Sequence, residues 1–378
     1  MRVLVIGGAG FVGSHTVDAL VERGYQVRVF DNLDAQVHVD GKWPVHVNTN
    51  AEYIAGNVLD VDALRRSLRG ADAVFYLAAA VGVGQSMYEI RHYVETNTLG
   101  AANFLELLAK EPHSLRKMIV ASSMSIYGEG KYICPSHGAV FPSERPTAQL
   151  NVRDWEMRCP TETTSGTCAA LLTAVGTPED KPLSPTSVYA INKRDHEEMF
   201  LAIGRAYQIP AVALRYFNIY GPRQALSNPY TGAVAIFASR LLNEHGPVIY
   251  EDGLQSRDFI HVSDIVRANL LALERDEANF QVFNVGTGVP TTILTVASTL
   301  AAALGVKHAP AVVNRYRVGD IRHCFADINR IRTKLRFEPR VPLADGIADL
   351  LGWLKTQSGT RDDVDRAQQE LEQRGLIH

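Results

Sequence analysis

Gly7-Gly8-Ala9-Gly10-Phe11-Val12-Gly13 stands between two readable elements. Before it, Arg2–Ile6 is a β-branched, apolar run that reads as a buried strand; after it, Ser14–Glu22 places Val17, Leu20 and Val21 at helical spacing. A glycine turn between strand and helix lets bare backbone approach a pyrophosphate, whose charge then sits at a helix N-terminus. The spacing is G-x-x-G-x-x-G, not the commoner G-x-G-x-x-G, and glycine supplies 29 of 378 residues, so the motif needs its context. Asp31 supplies it, ending the next apolar strand (Gln26–Phe30) 18 residues after Gly13. A carboxylate there accepts hydrogen bonds from an adenosine ribose and repels a 2′-phosphate. No arginine between Asp31 and Asp40 offsets that repulsion, which favours NAD over NADP.

Outward from this turn, strand and helix keep alternating. Glu52–Val58, Asp72–Ala79 and Lys117–Ser122 read as strands, and Asp60–Leu68 and Tyr93–Lys110 as helices. Such alternation predicts an α/β fold with a Rossmann-type, doubly wound parallel sheet, whose ligands lie beyond the carboxyl ends of its strands. A chain of 378 residues has room for about two ordinary domains. The expected division is an NAD-binding domain over 1–217, interrupted by an insertion at 131–182, and a smaller α-rich lobe over 218–355 that mainly binds substrate. A polar tail follows at 356–378, in which Val364–Gln373 reads as an exposed helix or a mobile segment.

Composition excludes several classes. Lys+Arg 38 against Asp+Glu 41 gives a net charge of −3, which argues against a nucleic-acid partner. No apolar run reaches the roughly 20 residues of a membrane span. Arg2 leads straight into Val3-Leu4-Val5-Ile6 without the pattern of a signal peptide, and four cysteines are too few for a disulfide framework. The expectation is a cytoplasmic enzyme.

The chemistry lies after the fifth strand and in a later helix. Tyr189-Ala190-Ile191-Asn192-Lys193 is Y-x-x-x-K within an expected helix Ser187–Tyr207, so Lys193 shares a face with Tyr189. A nearby cation favours phenolate and makes the tyrosine a candidate general base. Ser122-Ser123-Met124-Ser125-Ile126-Tyr127-Gly128 follows Lys117–Ser122, where a serine hydroxyl can share a hydrogen bond with the phenol and a substrate hydroxyl.

With these motifs go Y-L-A-A at 76–79, L-R-Y-F-N-I-Y-G-P-R at 214–223, R-D-F-I-H-V-S-D at 257–264 and N-V-G-T-G at 284–288. In combination they resemble the extended short-chain dehydrogenase/reductase family, and within it the nucleotide-sugar epimerases and dehydratases, from Met1 to about Lys355. The resemblance implies Ser123, Tyr189 and Lys193 as the catalytic trio. It implies a cofactor site of Gly7, Gly10, Phe11, Val12, Asp31 and Asn32, with Asn57 and Val58 against adenine and Leu77, Ala78, Ala79, Asn97 and Tyr216 along its length. Asn57 stands where the family usually has Asp. Asn218, Arg257 and Arg317 match groups holding a nucleotide diphosphate, Asp320 matches a partner of the nucleoside end, and His261 is read as structural. The implied partners are NAD, a nucleotide-diphosphate sugar and a second copy of the chain, paired through Tyr93–Lys110 and Ser187–Tyr207.

Family dehydratases and decarboxylases place an acidic residue one or two positions after the catalytic Ser/Thr. Met124 and Ser125 occupy those positions here. Asp31 disfavours the NADP-dependent reductases, which leaves an NAD-dependent 4-epimerase. Val81 stands where galactose-type relatives carry lysine, and Val81–Ile90 looks closer to bacterial enzymes acting on deoxythymidine-diphosphate deoxysugars, with UDP-glucose the alternative. Cys324 matches a variable position beside the hexose, yet a buried core cysteine fits equally well.

Ser123 and Tyr189 are 66 residues apart, about twice the family's usual separation. The extra chain holds Cys134, His137, Cys159 and Cys168. C-x-x-H plus two cysteines can make a Cys3His zinc site. Eight residues between Cys159 and Cys168, with a polar Thr161–Thr167, are too loose for the usual knuckle, so no metal is assigned and free cysteines in an ordered flap beside the sugar pocket are expected.

Overall fold

The computed structural model describes residues 1–38, 40–225, 232–306, 310–356 and 364–378. Residues 357–363 of the expected tail lie outside them.

Seven parallel strands form the central sheet: β1 (Arg2–Ile6), β2 (Gln26–Asp31), β3 (Glu52–Ala55), β4 (Ala73–Tyr76), β5 (Lys117–Ser123), β6 (Ala211–Tyr216) and β7 (Val282–Val285). Their order is β7-β6-β5-β4-β1-β2-β3, so the winding reverses between β1 and β4. Val3 and Val5 of β1 pack into the core on one face, Leu4 and Ile6 into the core on the other. Burial on both faces explains why this strand is uniformly apolar rather than alternating. Each such fully buried side chain contributes about 1.5–3 kcal/mol. The expected α/β architecture is therefore the observed one.

The expected helix Tyr93–Lys110 is continuous but not uniform. Ile90–Tyr93 runs into a π-helical turn, Val94–Leu99, and then into the α-helix Gly100–Lys110. Within this widened turn the Asn97 carbonyl, which also accepts a backbone N–H at the turn's end, meets Nε2 of the buried His196 at 2.9 Å.

The second lobe gathers around Ser256–His261, which pairs with Asn218–Tyr220, His323–Cys324 and Pro290–Thr292. Helices Ala233–Leu242, Ile293–Leu304 and Leu343–Leu354 form its core. A single cut at 217/218 does not divide the chain in space. β7 and the helix Val262–Glu274 lie beyond it, yet β7 completes the parallel sheet, and Asn269 on that helix donates to Thr16 Oγ1 on the first helix, Phe11–Glu22.

The insertion is a small ordered unit. Lys131–Cys134, Gly138–Val140 and Thr173–Val175 make an antiparallel sheet, and Glu162–Thr163 pairs with Gly166–Thr167 in a second hairpin. Residues 364–378 of the tail are ordered too. Val364–Gln373 is a helix, but Ala367 and Leu371 are buried, and the last residues pair with the chain at Tyr316–Val318. No helix among the described residues is long and apolar enough to cross a membrane.

Candidate active site

A cavity of about 670 Å³ runs across the carboxyl ends of β1, β4, β5 and β6 into the second lobe. At one end the glycine loop forms its floor. Gly7 has φ +83°, and a Cβ there would meet the Ala78 nitrogen at 2.6 Å; a Cβ on Gly13 would meet the Gly7 carbonyl at 2.1 Å. These glycines allow turn, helix and β4 exit to touch backbone to backbone. Gly10 instead leaves space, its Cβ position meeting only the Gly7 carbonyl, at 3.5 Å. It caps the helix Phe11–Glu22 without a side-chain hydrogen bond, and no acidic residue occupies the first turn. Helix-terminal amides left open beside bare backbone suit a pyrophosphate.

Asp31, at the end of β2, lines this cavity and is nearly buried, accepting from the Ala9 and Leu33 amides at 2.9 Å each. Its carboxylate thus ties the glycine loop to the ribose edge. Gly7, Gly10, Phe11, Val12, Asn32, Val58, Leu77, Ala78, Ala79 and Tyr216 also line the cavity. Asn57 and Asn97 do not. Asn57 is exposed and accepts from the Leu59 amide, so Gly56 and Val58 form the wall there. Asn97 is buried, accepting from the Ala80 amide at 2.8 Å and donating to the Ala80 carbonyl at 3.1 Å. It shapes the Leu77–Ala80 wall from behind.

Ser123, Tyr189 and Lys193 meet at the centre. Ser123 ends β5, in register with Tyr216 of β6. Its Oγ accepts from the Ser125 amide and hydroxyl at 3.2 and 3.0 Å. Ser187 caps the helix Val188–Ala206 by accepting from the Ala190 amide, which places Tyr189 in the first turn and Lys193 on the same face one turn later. Lys193 is buried, donates to the Ala121 carbonyl at 3.0 Å, and desolvation pulls its pKa down to about 7. Burial pushes the Tyr189 phenol up to about 12, with the Ser123 hydroxyl pulling the other way. Phenolate therefore needs positive charge delivered beside it.

In the second lobe, Asn218, Arg257, Arg317 and Asp320 line the same cavity. Asn218 Oδ1 is buried and has no protein partner. Asp320 bridges both arginines, Oδ1 to Arg257 at 3.1 Å and Oδ2 to Arg317 at 2.8 Å. Burial would raise its carboxyl, but Arg317 and Arg257 hold it below the ordinary value. Arg257 also donates to three carbonyls and is fixed; Arg317 is half exposed and lies over the Tyr250 ring, 4.8 Å from its centroid. A buried and a half-exposed fork together suit a diphosphate. His261 caps the helix Val262–Glu274 and is structural, as expected. Cys324 is buried against Thr177 in the main core and does not line the cavity, so the place beside the hexose belongs to other residues.

Sequence reasoning missed two supports. Behind Ser123, Glu197 takes a two-pronged bond from Arg215 and accepts from Ser122 at 2.8 Å, while Arg215 also donates to the Tyr127 hydroxyl at 2.7 Å. The available signal was that Tyr127 lies in S-S-M-S-I-Y-G and Arg215 in L-R-Y-F-N-I-Y-G-P-R. Over the cavity mouth, Val364, Ala367 and Leu371 of the tail helix contribute wall, and Ile377 bridges backbone-to-backbone with Arg317. Alanine and leucine four apart in a polar segment were the only sign.

Comparison with known proteins agrees with this geometry. The NAD-dependent epimerase/dehydratase family profile matches residues 3–149 and 162–286. A dTDP-L-rhamnose 4-epimerase of Burkholderia thailandensis is 33% identical over 93% of this chain and 94% of the relative. The solved UDP-glucose 4-epimerase of Thermotoga maritima, with UDP-glucose, superposes with a TM-score of 0.74 at 32% identity, covering 94% of this chain and 99% of that one. A UDP-glucuronic acid 4-epimerase of Bacillus cereus, solved with UDP-glucuronic acid and NAD, gives 0.74 at 27% identity over 94% and 99%. The chain belongs to the NAD-dependent epimerase/dehydratase family.

Proposed function

We propose that this enzyme is a nucleotide-sugar 4-epimerase using NAD and acting on a dTDP- or UDP-linked hexose. The observation that carries the reading is the reacting centre: Ser123, Tyr189 and Lys193 gather in one cavity, while Met124 and Ser125 offer no carboxylic acid after the serine. Met124 is buried in the core, and Ser125 bonds back to Ser123. Likeness to the Burkholderia enzyme favours a dTDP-deoxyhexose such as dTDP-L-rhamnose, and likeness to the Thermotoga enzyme keeps UDP-glucose second.

NAD along the glycine loop would supply an acceptor that takes the C4 hydride and returns it. The Phe11 and Val12 amides would hold its pyrophosphate, Asp31 its adenosine ribose, and Lys193 its nicotinamide ribose. Tyr189, as phenolate, accepts the proton of the sugar's 4-hydroxyl and later gives it back. Ser123 orients that hydroxyl. Arg257, Arg317 and Asn218 grip the nucleotide diphosphate, so the sugar can present its opposite face without leaving. Homodimerisation through Tyr93–Lys110 and Ser187–Tyr207, which expose Val94, Leu99 and Ile191, and a reducing cytoplasmic setting for the unpaired cysteines complete the proposal. Sedimentation velocity checks the dimer.

Turnover in D2O tests the reaction type. An epimerase yields product of the substrate's mass, free of carbon-bound deuterium, with no net NADH. Deuterium at C5, or a product lighter by water, identifies a dehydratase; loss of carbon dioxide identifies a decarboxylase.

Cofactor choice is tested at Asp31. Asp31→Ala removes the charge facing a 2′-phosphate and frees the Ala9 and Leu33 amides. NAD affinity falls, and the NAD/NADP affinity ratio falls by roughly 10–100-fold, the scale of hydrogen bonds to a charged group. An unchanged ratio by titration calorimetry removes Asp31 from cofactor selection.

A further inference from the structure

Cys134, His137, Cys159 and Cys168 lie far apart in sequence, yet their ligand atoms all fall within 4.8 Å of one another. Two hairpins bring them there. The turn between Lys131–Cys134 and Gly138–Val140 swings His137 back, so that Nδ1 lies 3.4 Å from Cys134 Sγ. The long spacing from Cys159 to Cys168 is taken up by the hairpin Glu162–Thr163/Gly166–Thr167, closed by Cys168 N–H to the Thr161 carbonyl and Ala169 N–H to the Cys159 carbonyl. Two backbone knuckles therefore face each other, which the loose spacing had argued against.

Three of the six separations lie close to a tetrahedron's edges, and none exceeds 4.8 Å. Zinc at about 2.3 Å from sulfur and about 2.0–2.1 Å from nitrogen sets sulfurs about 3.8 Å apart and sulfur about 3.6 Å from nitrogen. Cys134 and Cys168 sulfurs are 4.0 Å apart, and His137 Nδ1 is 3.4 and 3.5 Å from Cys134 and Cys159. A disulfide would use two sulfurs and give the third thiol and the imidazole no role. Three thiols and one imidazole are the donor set of a closed structural zinc site.

We propose that these four residues bind one structural zinc ion, each thiol releasing its proton to solvent, and that the ion holds the insertion against the diphosphate-binding loop. Between the two knuckles in sequence stand Arg145 and Glu156. Arg145 makes a buried two-pronged pair with Glu251 and donates to the Asp320 carbonyl at 3.1 Å. Glu156 pairs with Arg322, two residues past Asp320. The unit's own core is small, built on Tyr132, Met157, Leu172 and the cysteines, which is the circumstance in which a metal supplies the missing stability. The positioning role rests on the epimerase reading; the metal site does not.

The test is metal analysis of the full chain, purified without chelator and exchanged into metal-free buffer. The expected result is about one zinc per chain, with Cys159→Ser and Cys168→Ser each lowering it at least about tenfold and Cys324→Ser leaving it unchanged. Cobalt(II) added to stripped protein should give the intense d–d bands and sulfur charge-transfer band of a tetrahedral thiolate site. Zinc-free protein with three reactive thiols, or a Cys134–Cys168 disulfide, overturns the proposal. Stripping should raise KM for the nucleotide sugar several-fold more than it changes kcat; equal KM with and without zinc removes the positioning role. Protein that carries zinc yet epimerises no nucleotide sugar keeps the site and rejects the functional reading.

Discussion

Replacing Tyr189 with phenylalanine should lower turnover by about 10²–10⁴-fold while bound NAD is retained, the usual loss when a general base is deleted. The ring remains, so the packing of the first turn of Val188–Ala206 is preserved and only the proton acceptor goes. Burial by the protein holds the phenol near 12, so at neutral pH it keeps its proton unless positive charge is brought beside it. Two positive charges can bring it down. One is the Lys193 ammonium on the same helical face; the other is the nicotinamide ring of NAD in its oxidised form. Desolvation has itself drawn Lys193 down to about 7, which makes its charge depend on the anionic partners that arrive with the cofactor and on the phenolate. The sign follows. Wild-type kcat rises with pH as the phenol loses its proton and levels off above that pKa. Tyr189→Phe should abolish this acid limb as well as the rate. A variant that keeps a near-normal rate and an unchanged pH profile would move the base elsewhere.

The legible parts of this protein are those whose physics is local. Gly7, Gly10 and Gly13 act within one turn, and Tyr189 and Lys193 within one turn of helix, so their spacing, read with the flanking strand and helix, placed them together. Asp31 was legible because a strand end fixes where its carboxylate points. The misses are of another kind. Asn97 was matched to the cofactor but acts on the Ala80 backbone, because the π-helical turn that places it has no sequence signature. Cys324 was weighed for the pocket, but it is buried in the main core, with its thiol donating to Thr177 Oγ1, 147 positions away. The tail looked solvated because only Ala367 and Leu371 of its helix are buried, and its closing contact with Tyr316–Val318 is made by backbone, which composition does not report. The insertion's hairpin needed only the Glu162–Thr167 pairing to turn a loose cysteine spacing into a tight one.

Arg215→Met is the second large effect, and it reaches the same centre through stability. Arg215 and Glu197 are both nearly buried, 18 residues apart in sequence and joined by two hydrogen bonds; Glu197 also accepts from Ser122, next to Ser123. Removing the guanidinium leaves a carboxylate buried without its cation, which typically costs about 3–5 kcal/mol. It also strips the Tyr127 hydroxyl of a donor, loosening one of the two contacts on Tyr127 in the Ser123–Gly128 turn, the other being Lys181 on the Tyr127 carbonyl. The variant should therefore unfold at clearly lower denaturant, and the surviving folded fraction should turn over slowly. A paired change separates charge from packing. Arg215→Met with Glu197→Leu removes both ions and replaces them with apolar volume, a change that is often neutral or stabilising for a buried pair. The double variant should recover most of the lost stability but not the Ser122 contact, leaving activity depressed in a well-folded protein. Equal denaturation midpoints for Arg215→Met and wild type would show that the pair is not essential to the fold. Full activity in the double variant would show that Ser123 does not depend on Glu197 for its position.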